Sequence, residues 1–500
     1  MSVAFSVRRA IAVIISLSLA SVGLGAVSAG AAEPTLGLRA TRTTIEVNRP
    51  PRRAAWIEPG VFVFAQGGPL ELRVTRAAYD QPLELSHVVH DAGGDVVRPL
   101  DVGLLDSSFG LKEFLDVVVT NSNGEIVKER SPTFCPNAYD RQRFNDLGPS
   151  NPSYPQWCFG GPFTKGMVLG LDEGWATSAT SFNGLRIGGP NGRYTVTFSI
   201  APEYLAIFDV DPSAATASVD VKLKSGRGCH HGCGPSLRPE AQPQLERSAA
   251  VPTMAEPDPA TLPDLIGLPA WGMDVQNMRK AQREYLRFGA TVWVGGAAPL
   301  HVEGFRRQSE DVMDGFQYFY QGDEIVGRAE VGTLEYDDRR GHTHWHFQQF
   351  AEYRLISEDG SEIIKSTKEA FCLAPTDPID LTIPGAEWGP DEIGLGGSNC
   401  GWDTSLWVKE VLPLGWGDTY IQSRPGQSIN VTNLPNGTYY VEVEANPGGL
   451  LEEQDFTNNV ERRKVIIKGK PGARFVKVPP WNGIDTEGYW EGGFMSQPAR

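Results

Sequence analysis

Tyr194-Thr195-Val196-Thr197-Phe198-Ser199-Ile200 carries an apolar side chain at every second position, and this two-residue rhythm recurs along the chain after residue 32. A strand turns alternate side chains to opposite faces, so the rhythm specifies half-buried β-structure rather than helix. Gly60-Val61-Phe62-Val63-Phe64, Leu70-Glu71-Leu72-Arg73-Val74, Leu115 to Thr120 and Tyr285 to Val294 read the same way, with Gly, Pro and Asn clusters between them. Only residues 272–284 offer a pattern for a short helix. Asn436-Gly437, between Ser428–Val431 and Tyr439–Val443, predicts a hairpin turn. The fold class expected is all-β.

Residues 1–32 read as a secretory signal peptide: Arg8 and Arg9 precede an apolar run to about Leu24, and Ala29-Gly30-Ala31-Ala32 supplies a small-residue cleavage site. Its removal takes away two arginines and no acids, so the formal charge of −16 becomes −18. Such an acidic chain is a poor partner for nucleic acid or anionic membrane surfaces. Beyond the leader no apolar run is long enough to span a bilayer, which points to an extracellular product, free or wall-associated.

The roughly 470 remaining residues exceed what one core organises. Between about 224 and 261 periodicity lapses and Pro235, Pro239, Pro243, Pro252, Pro257 and Pro259 accumulate, a linker composition. The expected order is an N-terminal β-sandwich-like domain at 33–223, the linker at 224–261, a second mostly-β domain at 262–468 and a tail at 469–500. Six cysteines in a secreted chain are expected to be oxidised, and they fall into three neighbourhoods, Cys135/Cys158, Cys229/Cys233 and Cys372/Cys400. Six allow 15 pairings, and pairing within neighbourhoods is preferred. His87 and His90, three apart with no third ligand nearby, read as ordinary histidines.

Gly341-His342-Thr343-His344-Trp345-His346-Phe347 holds three of the eight histidines. On a strand His342, His344 and His346 share a face, while Thr343, Trp345 and Phe347 share the other. Three imidazoles from one strand suit a transition metal and leave coordination positions open, an arrangement for chemistry; the spacing alone does not choose the metal.

Four motifs in order, from about 262 to 467, resemble the catalytic domain of the lysyl oxidase family, especially its secreted bacterial members. His342-Thr343-His344-Trp345-His346, followed by Phe350 and Tyr353, is similar to the family's copper-binding His-x-His-x-His. Lys368-Glu369-Ala370-Phe371-Cys372-Leu373 resembles the segment whose lysine enters the cofactor, and Asp418-Thr419-Tyr420 the segment that supplies the cofactor tyrosine. Glu453-Gln454-Asp455-Phe456-Thr457-Asn458-Asn459 is similar to an acidic Asn-Asn segment near the domain end.

The resemblance implies copper at His342, His344 and His346, and a lysine tyrosylquinone made from Lys368 and Tyr420, with Lys365 and Tyr353 as nearby competitors. It implies oxidation of primary amines, peptidyl lysine among them, by O₂ to aldehydes, with release of ammonia and hydrogen peroxide. It also implies calcium at Glu453, Asp455, Asn458 and Asn459, completed by Asp264 and the backbone oxygen of Leu265. Those hard oxygens suit calcium. Where vertebrate members carry a further histidine before the tyrosine, this chain has Glu352, so Glu352 and Asp418 are rival candidates for the general base. Two other functions fit a metal-bearing β-fold: a non-catalytic metal-binding wall or adhesion protein, and a cupin-like metal oxygenase.

Overall fold

A computed structural model describes residues 35–49, 54–91, 93–106, 110–138, 141–143, 145, 147–149, 151–156, 158, 160–180, 185–225, 251–306, 312–337, 344–366, 370–389, 398–401 and 405–487. The expected signal peptide, most of the expected linker with Cys229 and Cys233, His342, Lys368 and the last residues of the chain lie outside them. The molecule is all-β. Among the described residues one α-helix, Pro202–Ile207, and two 3₁₀ turns interrupt the strands.

Residues 35–225 form sheets among themselves. One runs Thr44–Arg49, Thr216–Ser225, Gly192–Ile200, Leu115–Asn121, Ile126–Arg130, and another runs Gly166–Leu171, Leu70–Thr75, Glu84–Val89, Val96–Leu100. In Gly192–Ile200 the inward set is Tyr194, Val196, Phe198 and Ile200, as its alternation dictates. Cys135 and Cys158 form a disulfide here.

Residues 263–477 build three more sheets. The first runs Pro263–Gly267, Arg283–Gly296, Trp416–Tyr420, Asp377–Pro378. The second runs Ala370–Phe371, His344–Gln348, Glu324–Asp337, Val312–Gln321, Leu300–Arg306, Trp407–Leu412. The third runs Glu362–Lys365, Ala351–Ser357, Gly437–Ala445, Val460–Lys470, Ala473–Lys477. Residues 251–254, from the end of the expected linker, lie along the second sheet, where Met254 and Arg328 pair through backbone groups.

Two expectations are corrected. The stretch 272–284 is no helix: Trp271–Met278 is a strand paired with Arg283–Gly296, and residues 279–282 make the turn. Gly272, at φ +57°, bulges the strand between Trp271 and Asp274, and this break in alternation mimics a longer period in the sequence. Asn436-Gly437 closes no hairpin either. Ser428–Asn430 pairs with Arg283–Gly296, whereas Gly437–Ala445 pairs with Ala351–Ser357 and Val460–Lys470, so the Asn-Gly turn carries the chain from one sheet to another.

Candidate functional site

The strand His344–Gln348 is set by its apolar face. Trp345 and Phe347 are fully buried, and the strand is held between Glu324–Asp337 (Leu334 opposite Phe347, Asp337 opposite His344) and Ala370–Phe371 (Phe347 opposite Phe371). His344 and His346 therefore share the other face, their ring centroids 4.5 Å apart, with His346 buried and His344 half-buried. The Trp345 N–H donates to the carbonyl of Cys400, 2.9 Å away, and Cys400 is bonded to Cys372.

Cys372 in turn meets Tyr420. The Tyr420 hydroxyl accepts from the Cys372 N–H and donates to the Cys372 carbonyl, both at 3.2 Å, although 48 residues separate them. The ring stands edge-on to Phe371, centroids 4.9 Å apart. Trp416–Tyr420 is gripped along both edges. Thr291 Oγ1 lies 2.6 Å from Thr419 Oγ1 on one side, and on the other the Thr419 N–H donates to Thr376 Oγ1 at 2.7 Å. Strand alternation puts Asp418 and Tyr420 on one face. Burial, then the charges of Asp418 and Glu410, push the Tyr420 phenol well above the usual tyrosine range.

Glu410, on Trp407–Leu412, is a residue that sequence reasoning passed over. Its carboxylate accepts the Leu373 N–H at 3.1 Å and lies close to the backbone of Phe347, between the segment following Cys372 and the histidine strand. It is fully buried, and burial raises its pKa well above the carboxylate range, with Asp418 adding to the rise. The available signal was register: Val408, Glu410 and Leu412 share the inward face, an acid where the pattern calls for an apolar residue.

The two base candidates part company. Glu352 pairs with Lys365 at 2.7 Å and lies 3.5 Å from Arg354, which also binds Glu442 and Glu444. Tyr353, the next residue, faces the opposite way, edge-on to Phe288 and Phe371 and within the field of Asp418. Asp418 is thus on the tyrosine side and Glu352 in an ion-pair network on the other. Lys365 is engaged by Glu352, and the Tyr353 phenol is fully buried.

At the domain's other end, the Asn458 amide donates to both Asp264 oxygens, at 3.1 and 2.9 Å. Glu453 accepts from Asn446 at 2.6 Å, from Asn459 at 2.8 Å and from the Leu265 N–H at 3.0 Å. In a strand a residue's carbonyl leaves on the same edge as its N–H, so the Leu265 oxygen faces this cluster too. The amide oxygens of Asn458 and Asn459 are buried without hydrogen-bond partners. Asp455 is exposed and turns to Thr457 instead. Burial holds the carboxyls of Asp264 and Glu453 above their usual range.

Residues 403–475, which contain Glu410, Asp418, Tyr420 and the Glu453–Asn459 cluster, match the family profile described as lysyl oxidase. This part of the chain resembles the lysyl oxidase family. Among curated proteins, this chain is similar to lysyl oxidase homolog 2A of Danio rerio, 29% identical over 146 residues, which cover 28% of this chain and 17% of the relative. Lysyl oxidase homolog 4 of Mus musculus is 26% identical over 185 residues, covering 34% and 22%, and lysyl oxidase homolog 2 of Bos taurus is 26% identical over 132 residues, covering 26% and 15%. The aligned stretch spans less than a quarter of each of these relatives. The match to the lysyl oxidase profile begins after His344 and His346; the histidine strand lies beside Glu410, within the match, and bonds to Cys400, just before it.

Proposed function

We propose that this chain is an extracellular copper-dependent amine oxidase converting primary amines to aldehydes through a lysine tyrosylquinone. One observation carries the reading: the Tyr420 hydroxyl rests on the backbone of Cys372, four residues beyond Lys368, in a segment hydrogen-bonded to the histidine strand. Three segments that resemble the family's metal, lysine and tyrosine motifs are thereby neighbours. Copper would be held by His342, His344 and His346; the convergence of the His344 and His346 rings on one face fits an imidazole-bound transition metal. When in place, copper and the quinone made from Lys368 and Tyr420 supply the carbonyl that takes up the amine and the route for electrons to O₂.

The chain's own groups account for the remaining steps. Asp418, on the face of Tyr420, is placed to take the proton from the substrate carbon next to nitrogen, a role for which Glu352 is committed elsewhere by Lys365 and Arg354. Phe371 and Tyr353 wall off water beside the Tyr420 ring. The net charge of −16 favours cationic amines, so peptidyl lysine, polyamines and small amines form the substrate panel. Calcium would sit among Asp264, the Leu265 carbonyl, Glu453, Asn458 and Asn459, whose unpartnered amide oxygens are the hard donors it requires, with Asp455 at the rim.

Extracellular residence rests on the leader sequence; among the described residues no helix is long and apolar enough to cross a membrane. The test is aerobic copper loading followed by peptide mass spectrometry and a peroxide assay with the amine panel. A crosslinked Lys368–Tyr420 peptide and amine-dependent peroxide are expected. Active protein yielding both segments as separate, unmodified peptides would overturn the cofactor assignment. A crosslinked protein inert toward every amine would favour the adhesion-protein reading.

A further inference from the structure

The tyrosine strand Trp416–Tyr420 has two neighbours, Arg283–Gly296 and the short segment around Asp377–Pro378. The short segment is itself covered, and by the N-terminal domain. The Lys165 N–H donates to the Ile379 carbonyl at 2.6 Å, the Leu381 N–H donates to the Gly166 carbonyl at 2.9 Å, and Thr164 Oγ1 donates to the Pro378 carbonyl at 2.9 Å. Gly166 and Asp380 form a parallel bridge, so the chain just past Asp377–Pro378 is joined to the start of Gly166–Leu171 in the other domain.

Side chains reinforce this seam. Lys165 pairs with Asp380 at 3.6 Å, and Phe163 joins Leu268, Trp271, Trp293 and Ile379 in one buried apolar cluster. A side chain on Gly166 would collide with Asp380 Oδ1 and Thr382, so the approach depends on glycine there. The contact reaches the tyrosine strand directly. Gly417 leaves room for Ile379, whose Cγ1 would stand 3.1 Å from a Cβ at that position, and Ile379 shares its buried cluster with Phe163. The Ile379 N–H donates to the Gly415 carbonyl at 2.8 Å, one residue before the strand begins.

We propose that the N-terminal domain is a positioning element for the candidate site: its Phe163–Gly166 edge clamps residues 377–381 against the tyrosine strand and so fixes where Asp418 and Tyr420 stand. A strand as short as Asp377–Pro378 holds its neighbour poorly alone. Backbone bonds between residues 165–166 and residues 379–381 anchor the chain just beyond it, and the N-terminal domain supplies that anchor. The function of the first 225 residues is then mechanical support of the lysyl oxidase domain from within the same chain.

The experiment is hydrogen–deuterium exchange on the full mature chain, comparing parent, Gly166→Val, a milder Thr164→Val/Lys165→Ala double variant, and Gly188→Ala as a control at an open glycine. In Gly166→Val, peptides covering 376–381 and 416–420 are both expected to exchange about tenfold faster. Those covering 115–121 and 263–267 should keep the parental rate. If 115–121 also loosens in Gly166→Val, the N-terminal domain has unfolded and the double variant decides, with the same pattern expected at smaller amplitude. Faster exchange at 376–381 with unchanged protection at 416–420 would overturn the proposal. So would equal loosening of 263–267 and 416–420 in the double variant, which marks general destabilisation. The measurement needs neither copper nor turnover, so it stands or falls apart from the amine oxidase reading.

Discussion

Glu410 shows how much one buried acid can organise. Its carboxylate accepts the Leu373 N–H, just past Cys372, and faces the backbone of Phe347 in the histidine strand. Replacement by leucine keeps the volume but strands the buried Leu373 N–H, at roughly 1–3 kcal/mol. Glu410→Leu is therefore expected to lose about 1–3 kcal/mol of stability in urea denaturation, and Glu410→Gln, which retains an acceptor oxygen, distinctly less. His90 offers a test in pH. Partial burial pulls its pKa down, but hydrogen bonds to Asp95 at 2.8 Å and Glu71 at 3.0 Å prevail and raise it. The folded chain then keeps a proton that the unfolded chain releases near pH 6.5. This stabilisation is complete below that pH and is lost as pH rises through the folded value. Melting temperature is expected to fall across that window, and His90→Asn should show a shallower fall. Spacing gave no sign of this role, because Glu71 lies nineteen residues away and meets His90 only through pairing of strands.

At the scale of single elements the sequence was most legible where one alternating stretch packs on one core. Gly192–Ile200 and Arg283–Gly296 lie where their periodicity put them. It misled where a glycine bulge broke the alternation at Gly272, and where the Asn436-Gly437 turn joined strands of different sheets, since which strands pair is decided by long-range packing. The neighbourhood pairing of Cys372 with Cys400 and of Cys135 with Cys158 is what the structure holds. The Cys372–Cys400 bond closes a loop of sequence separation 28, for which chain entropy gives about 3–4 kcal/mol. A Cys372→Ser/Cys400→Ser variant is expected to lose stability on that order in chemical denaturation. Because Cys400 also receives the Trp345 N–H and Cys372 the Tyr420 hydroxyl, its tyrosine ultraviolet band should shift as well.

Across the whole molecule, the candidate calcium cluster ties residues 264–265 to residues 453–459, the two ends of the second domain. Removing calcium leaves carboxyls that burial already disfavours in their charged form. Chelation with copper kept in place is expected to lower the melting temperature by several degrees, and Asp264→Asn should abolish most of the difference. Equal melting temperatures with and without chelator would remove calcium from the assignment. The sequence displayed these ligands as a pattern but could not show that Asp455 turns away to Thr457. The seam at Thr164–Gly166 also sets a timetable. Its acceptor on Pro378 lies 214 residues downstream, and at about 5–20 residues per second a ribosome needs roughly 10–40 s to add that stretch. An N-terminal domain that folds at once would present an unpaired edge throughout that interval, so a bacterial or eukaryotic host must either cover the edge or export the chain before it closes.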